Sequence, residues 1–525
     1  MSSTPSISEA GPASDGRDRF GLNVAFAWGA YMVNIISGFI VPRMISDHLG
    51  QTTLGIWDFS WSLVSYFGLV ELGLGSSISR YVAYYRSKND IPGLNRSVAT
   101  IAVFQRSVGW LALVLAVISA WWLLPLFGPR LGDDLGTARW VLLFQGTEIA
   151  IIISFSVYAS VIAGCHRWDL QNTVTAIANS LVALGMITVL LLGGGLPALA
   201  LVHCVIMAGS ALVRKRLTKR VCPELVIKHH LASWSTFVEQ ARFGIKSLTP
   251  SAANLLSNQA LSLLIVASIG PASLAVFSRS RSLMTTLRSL AARFGMIVIP
   301  IASGLQARND QAALRHTLLT TPAIISSLAL PILIALGLFG NHLIRLWMGQ
   351  AYVQPGLLAV LTIGTYATLV QEPVWSVLCG MNRHGQTAVA KLIAAGVSTT
   401  LLAIGLWTLH WGLLGAAVCF VMPQLIADGF ITTWYACRIV GVSKRRYLWC
   451  TFVRPMLCVA PFAAALAAGT QLGPEHPLWA MALISVGSLV SALLYLKWLL
   501  PTAMRKFLTV AFRRFLPNHS MGTCQ

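Results

Sequence analysis

The chain has 525 residues, of which 56% are hydrophobic and only 10% are charged, and its mean hydropathy is +0.70. Many apolar runs reach the roughly 20 residues that cross a bilayer, so the composition indicates a polytopic membrane protein and excludes a soluble one. The net charge of +21 does not indicate nucleic-acid binding. The cations fall between the apolar runs on alternate sides, which is the positive-inside pattern of membrane proteins.

The N-terminal residues 1–19 are polar and rich in Ser, Gly and Pro, which predicts a disordered cytoplasmic tail rather than a signal peptide. The apolar runs that follow predict an all-α polytopic membrane protein with about 14 transmembrane helices. The predicted helices begin near Leu22, Leu54, Val98, Ala138, Gln171, Leu196, Phe243, Pro271, Thr317, Val353, Gln386, Trp411, Phe452 and Leu478.

Loop charges orient these helices. The outer connections hold only Arg43, Arg130, Arg139 and Arg345, whereas basic runs fill the inner connections, so we expect both termini in the cytoplasm. Two inner segments are strongly basic, the linker 214–242 and the C-terminal tail 501–525. For the linker the pattern leaves an amphipathic helix on the anionic inner leaflet and a solvated loop as alternatives. The nine cysteines lie in spans or on the inner side, which gives no sign of disulfides.

The chain repeats itself. Lys88-Asn89-Asp90 matches Arg308-Asn309-Asp310, and Leu49-Gly50 matches Ile269-Gly270, in each case 220 positions apart. Gly164-Cys165-His166-Arg167 matches Gly380-Met381-Asn382-Arg383 at a slightly smaller separation. The repeat predicts two pseudo-symmetric six-helix lobes, 20–213 and 243–437, around a central cavity. The last two spans, within 438–500, fall outside it.

An unusual stretch lies at the start of the second half. Residues 277–295, FSRSRSLMTTLRSLAARFG, carry four arginines within an apolar run. An intramembrane cation costs roughly 3 kcal/mol or more near the bilayer centre, so it needs water, an anion or an interface. Arg281 and Arg288 fall about 20° apart on one helical face, together with Ser282 and Thr285. We interpret this face as a water-filled cavity that receives an anion, with a buried ion pair as the alternative.

Three further cations are secondary candidates for binding the same anion. Arg279 and Arg293 lie on another side of that helix, and Lys246 lies one turn into the seventh span. Snorkelling toward the membrane interfaces is the competing explanation for all three.

The repeat maps the arginine face onto a small polar face of the second span that includes Asp58. Asp58 is therefore a candidate outer gate that contacts Arg279 or Arg281, with a static helix-cap contact as the alternative. Other intramembrane charges are predicted to pair by similar depth. Glu71 is assigned to Arg106, with proton coupling as the rival role, and Glu372 is assigned to Lys391, which Asp428 also reaches. His203 and Cys204 lack further ligands, so no metal site is predicted.

Two segments carry a family resemblance. LGQTTLGIWDFSWSLVSYFGLVELGLGSSISRYVAYY, at Leu49 to Tyr85, resembles the first hairpin of bacterial polysaccharide-export flippases, and IRLWMGQAY, at Ile344 to Tyr352, resembles their segment after the ninth span. The chain thus resembles the polysaccharide-export (Wzx-like O-antigen) branch of the multidrug/oligosaccharidyl-lipid/polysaccharide exporter superfamily. The resemblance implies a V of two lobes, with the first, second, seventh and eighth spans lining the cavity.

The same resemblance implies a transporter rather than an enzyme. Its cargo would be an undecaprenyl-pyrophosphate-linked oligosaccharide, flipped by alternating access from the cytoplasmic to the periplasmic leaflet of the bacterial inner membrane. Membrane lipids, a polymerase and glycosyltransferases are the implied partners, and nucleic acid is not. No cofactor is expected, while coupling to protons, sodium or the membrane potential stays open.

Three alternatives remain on sequence grounds. A lipid II flippase of the same superfamily would share the spans and a cationic cavity. A multidrug exporter would carry organic cations and would need cavity carboxylates, which the arginine stretch disfavours. A membrane-embedded polysaccharide enzyme is disfavoured because no large outer loop and no G-x-x-x-x-G-K-[ST] motif is found.

Overall fold

The computed structural model of the protein describes residues 15–71, 74–471 and 477–498, and for several short stretches, among them 15–27, 69–71 and 243–254, the backbone alone. The described residues form helices and turns without any strand. In chain order the α-helices are α1 Asp15–Leu49, α2 Gln51–Ser65, α3 Leu74–Ser87, α4 Ile91–Ile118, α5 Gly128–Leu131, α6 Leu135–Gly164, α7 Trp168–Leu191, α8 Leu196–Val221, α9 Trp234–Ser268, α10 Pro271–Ala307, α11 Gln311–Met348, α12 Leu357–Gly380, α13 Gly385–Trp407, α14 Gly412–Leu425, α15 Thr433–Val440, α16 Lys444–Leu448, α17 Arg454–Gln471 and α18 Pro477–Trp498.

The all-α membrane fold is confirmed. Within the described ranges, 10 helical elements are long and apolar enough to cross a membrane, and one of them, Ile91–Gly164, contains both the third and the fourth predicted spans. The second predicted span is not one continuous α-helix, because a 3-10 segment at Tyr66–Glu71 follows α2. The total of about 14 spans stays a prediction.

The helices group into two compact units, Met1–Val276 and Phe277–Gln525. In unit 1, α6 packs against α2, α3, α4 and α8, while α1 packs on α7 and α9 packs on α2 and α3. In unit 2, α11 packs on α12 and α17, α13 packs on α14, and α17 packs on α18. The domain boundaries predicted from the sequence stay predictions, and the tails 1–14 and 499–525 lie outside the described residues.

The sequence repeat is accompanied by matching local structure at the turn that precedes α4 and α11. Asn89 and Asn309 both have positive φ, at 53° and 55°. The next residue caps the following helix in both copies: Asp90 accepts a hydrogen bond from the Gly93 amide at 2.8 Å, and Asp310 accepts one from the Ala313 amide at 2.9 Å. Such caps satisfy amides that a helix leaves free at its start.

Each unit also holds an equivalent buried cluster. In unit 1 it includes Ile78, Val82, Leu94 and Val98, and in unit 2 it includes Val298, Ala302, Leu314 and Leu318. The members correspond pairwise at the separation of 220 found in the sequence. Equivalent positions of the two copies are therefore buried in the same way.

The basic linker differs from a single amphipathic helix. Its first part continues α8 to Val221, and its last part begins α9 at Trp234. The helix stops because Pro223 disfavours a helical conformation at Cys222 and supplies no amide hydrogen. We call the intervening residues 222–233 the strap.

The strap is held against α4. The Val226 amide donates to Asn95 Oδ1 at 2.8 Å, and the Ser233 amide donates to Thr100 Oγ1 at 3.0 Å. Just beyond the strap, the ring of Phe237 lies 4.4 Å from that of Phe104, measured between centroids. This linker is therefore docked on unit 1.

Candidate functional site

The arginine-rich stretch 277–295 lies entirely within α10, as predicted. The helix begins at Pro271, directly after Gly270, whose φ is 119°. Proline suits a first helical position because its missing amide hydrogen would have no helical partner there. From Phe277 onward the helix belongs to unit 2.

The side chains of the predicted anion face are partly accessible. Arg281 and Arg288 are half-buried, whereas Arg279 is 8% exposed and Arg293 is half-buried on its own side of the helix. Along the axis, Arg281 and Arg288 are about 10 Å apart. Among the described residues, no hydrogen bond or ion pair reaches Arg288. A guanidinium in an apolar span without such a partner requires water or an anion.

The hydroxyl groups on this face are donors to their own helix. Ser282 Oγ donates to the Arg279 carbonyl at 2.8 Å, and Thr285 Oγ1 donates to the Ser282 carbonyl at 2.9 Å. Their oxygens retain lone pairs, so they remain acceptors. The face therefore offers guanidinium donors and hydroxyl acceptors to a ligand.

Helix α12 runs beside α10 on the C-terminal side of this face. A Cβ atom added at Gly295 would lie 2.6 Å from Ser376 Oγ and 3.9 Å from Glu372 Cγ. Arg288 precedes Gly295 by seven residues, so both positions lie on nearly the same face of α10. The side chain of Glu372 therefore lies on the side of the arginine face, about 10 Å C-terminal to Arg288 along α10.

The predicted pair between Glu372 and Lys391 is wrong. Lys391 Nζ instead lies 3.0 Å from Asp428 Oδ1, which confirms the second partner expected from the sequence, and 4.7 Å from the ring of Trp375. Among the described residues no ion pair reaches Glu372. The physical reason is the direction in which each side chain points around its helix axis. Glu372 faces α10. Lys391 lies on α13, which packs on α14 and on the π-helical segment at Ile426–Thr432.

The predicted contacts of four other residues stay untested. Asp58 lies in α2 of unit 1, and its proposed gate contact with Arg279 or Arg281 of unit 2 stays a prediction. The side chains of Glu71 and Lys246 lie outside the described residues. Arg106 lies 3.2 Å from His229 Nε2 in the strap, and its pairing with Glu71 stays a prediction.

A polar pair that the sequence did not reveal lies in unit 1. His203 Nδ1 of α8 is 2.6 Å from Glu148 Oε2 of α6, and the Glu148 side chain is only 2% exposed. The rings of Trp57 and Trp61 lie edge-on to the imidazole, with centroids at 6.0 Å and 5.5 Å. The missed signal was Glu148 itself, because an intramembrane carboxylate is a functional candidate by default.

Comparison with known proteins agrees with this architecture. Residues 88–355, about half of the chain, match the model of the polysaccharide biosynthesis protein family. The chain belongs to this family. A putative O-antigen transporter of Shigella flexneri is 21% identical to this chain over 435 residues, which cover 78% of this chain and 97% of that protein.

Two solved structures have a fold similar to that of this chain. The lipid II flippase MurJ, in an inward closed conformation, aligns with a TM-score of 0.69 at 12% identity, covering 93% of this chain and 100% of that one. A multidrug resistance MATE family transporter of the MOP superfamily, in an inward-facing conformation, aligns with a TM-score of 0.66 at 15% identity, covering 80% and 98%. The fold predicted from the sequence is confirmed for this multi-pass membrane protein, and the similar proteins named here are transporters or flippases.

Proposed function

We propose that this protein flips an undecaprenyl-pyrophosphate-linked oligosaccharide from the cytoplasmic to the periplasmic leaflet of a bacterial inner membrane by alternating access. The observation that carries the proposal is the arginine face of α10, where Arg288 has no ion-pair or hydrogen-bond partner among the described residues. Membership of the polysaccharide biosynthesis family and similarity to a protein named as a putative O-antigen transporter support the cargo. The positive-inside charges support cytoplasmic termini.

The chemistry of the face suits a lipid pyrophosphate. Arginine stays charged and donates paired hydrogen bonds that match phosphate oxygens, and such charge-assisted bonds are shorter and stronger than neutral ones. The spacing of about 10 Å lets Arg281 and Arg288 hold the group in succession as it crosses. The Ser282 and Thr285 hydroxyl oxygens would accept hydrogen bonds from the adjoining sugar.

The remaining predicted residues take different roles. Arg279, Arg293 and Lys246 would extend the positive field toward the ends of the path, and Asp58 would act at the outer gate. Glu372, which lies near Gly295 of α10, would act in gating or coupling. Lys391 is assigned a structural role because Asp428 neutralises it.

A lipid II flippase is the second candidate. MurJ aligns with 93% of this chain, and lipid II also carries a polyprenyl pyrophosphate. The arginine face would serve either cargo, so the sugar portion decides between them.

The test is export in a strain whose surface polysaccharide depends on this gene. Arg281→Ala, Arg288→Ala and the double variant are compared with Arg308→Ala, which removes the same charge from an exposed loop position. Losing one charge-assisted contact of about 1.5–3 kcal/mol predicts at least a tenfold loss of export for each variant of the arginine face, with lipid-linked oligosaccharide accumulating on the cytoplasmic side. Membrane abundance is measured in parallel.

Two results would contradict the proposal. Normal export by the double variant would make the arginine face structural. Accumulation of lipid II rather than the oligosaccharide in the depleted strain would establish the second candidate instead.

A further inference from the structure

We infer that Glu148 and His203 form a proton-binding site through which unit 1 couples a proton gradient to transport. The inference rests on the proposed transport function for its coupling step, but proton binding itself can be tested without cargo. It assigns a role to two residues of unit 1 that are not part of the arginine face.

The first support is the geometry of the pair. His203 Nδ1 and Glu148 Oε2 are 2.6 Å apart, with side-chain exposures of 15% and 2%. A bond this short is typical of a charge-assisted contact. Burying a carboxylate is costly unless a partner compensates it, and the imidazole is the partner that the described residues supply.

The second support is the position of the pair inside the helix bundle. Glu148 is near the middle of α6, and His203 is seven residues into α8, about 10 Å from the start of that helix. The Trp57 and Trp61 rings cover the imidazole from α2. Since His203 keeps some exposure while Glu148 has almost none, the imidazole is the group that exchanges protons with solvent.

The third support is unsatisfied polarity close by. Gln145 lies one turn from Glu148, is fully buried, and has no hydrogen-bond partner among the described residues on either amide atom. Ser60, beside Trp61, is likewise fully buried without a partner for its hydroxyl. Unpaired buried polar groups are destabilising, so this interior favours polar occupants that can relay a proton.

The helices that pack against α6 and α8 carry other titratable groups. From α2 the neighbour is Asp58, next to Trp57; from α8 it is Cys204, next to His203. Helix α4 also packs on α6, but its Arg106 contacts the strap, and α7 carries its carboxylate, Asp169, in its first turn. Helix α3, which also packs on α6, carries Arg80, Tyr81, Tyr84, Tyr85 and Arg86.

The proton balance is simple. With Nδ1–H donating to the Glu148 carboxylate, the lone pair of Nε2 accepts a proton from hydronium, which forms an N–H bond and releases water. The imidazolium and the carboxylate then neutralise each other. Loss of that proton to water on the other side of the membrane leaves the pair with a net negative charge. The difference in charge between the two states would favour different arrangements of α6 and α8. Histidine is the side chain best suited to such a change near neutral pH.

The first experiment measures proton binding in the purified, reconstituted full-length protein without cargo. Tryptophan emission is followed from acid to alkaline pH, because a cation beside an indole ring interacts with its π-system and alters its emission. We expect a pH-dependent change in the wild type and in His316→Gln, an exposed control. The part of this change that His203 causes should be lost in His203→Gln and in Trp57→Phe/Trp61→Phe, which retains the pair but removes its reporters. If the emission of His203→Gln changed with pH as that of the wild type does, the proposed proton-binding site would be wrong.

The second experiment measures coupling in the same vesicles. An imposed pH gradient should accelerate cargo transport severalfold in the wild type, not at all in His203→Gln or Glu148→Gln, and partly in Glu148→Asp, which restores the carboxylate. Gradient-free transport by His203→Gln shows that the arginine face still works. Equal stimulation in His203→Gln and the wild type would overturn the coupling role. Absence of transport in the wild type would instead overturn the proposed function, while the emission titration would still decide proton binding.

Discussion

Lys391 Nζ lies 3.0 Å from Asp428 Oδ1, and this ion pair joins α13 to the π-helical segment Ile426–Thr432. The same ammonium group lies 4.7 Å from the ring centroid of Trp375 on α12. Three neighbouring elements of unit 2 thus meet at one cation. Both charged side chains are mostly buried, at 25% and 10% exposure.

Removing one member of this pair should destabilise the protein more than removing both. Lys391→Met or Asp428→Asn alone leaves a buried charge uncompensated, for which losses of about 3–5 kcal/mol are typical. The double variant buries no net charge and should recover most of that loss. Thermal unfolding of the purified protein in detergent measures all three against the wild type. Additive losses in the double variant would contradict this description of the pair.

This pair also shows what the sequence could and could not predict. The helices, the intramembrane positions of the charges and the contact between Lys391 and Asp428 followed from hydropathy and depth. The pairing of Glu372 did not, because depth along a helix leaves the azimuth undetermined, and Gly295 brings α10 to the side of α12 on which Glu372 lies. Glu148 and His203 are 55 positions apart, so only the packing of α6 on α8 reveals their contact.

The repeat was the most informative sequence feature, since its matched positions predict equivalent packing. A Cβ atom at Gly164 would lie 2.8 Å from the Ser79 carbonyl oxygen, and one at Gly380 would lie 2.5 Å from that of Ile299. Gly164→Ala and Gly380→Ala should therefore each destabilise the protein by about 1–3 kcal/mol, the usual cost of overpacking. Thermal unfolding of each variant measures the loss.

Gly396→Ala provides the matched control for both glycine variants. Nothing lies within 4 Å of a Cβ atom at this position in α13. Because alanine is a better helix former, this variant should gain about 0.5–1 kcal/mol. If all three substitutions shifted the unfolding temperature equally, close approach at Gly164 and Gly380 would not be the cause.

The docking of the strap predicts a change in protease sensitivity. Asn95→Ala and Thr100→Val together remove the acceptors for the Val226 and Ser233 amides. Each lost hydrogen bond lowers the free energy of local opening by about 1 kcal/mol, so trypsin should cleave after the exposed Lys228 about fivefold faster or more. Thr317→Val, which removes only a hydroxyl bonded within its own helix, should leave the rate unchanged. Unchanged cleavage in the double variant would show that other contacts hold the strap.

The thiol of Cys165, in the turn between α6 and α7, should be unusually reactive near neutral pH. A hydrogen bond from Cys222 and the nearby Arg86 guanidinium outweigh burial and lower the pKa of Cys165 to about 7. Because only the thiolate is nucleophilic, alkylation should be fast above pH 7 and should fall as the pH drops below it. Cys222→Ala removes the hydrogen-bond donor, so the pKa of Cys165 should rise, and its alkylation at pH 7 should slow about fivefold for the first unit of rise and about tenfold for each further unit. Mass spectrometry of the Cys165 peptide after maleimide labelling over a range of pH measures both profiles, with Cys165→Ser as the blank. Identical profiles with and without the Cys222 thiol would show that Arg86 alone activates Cys165.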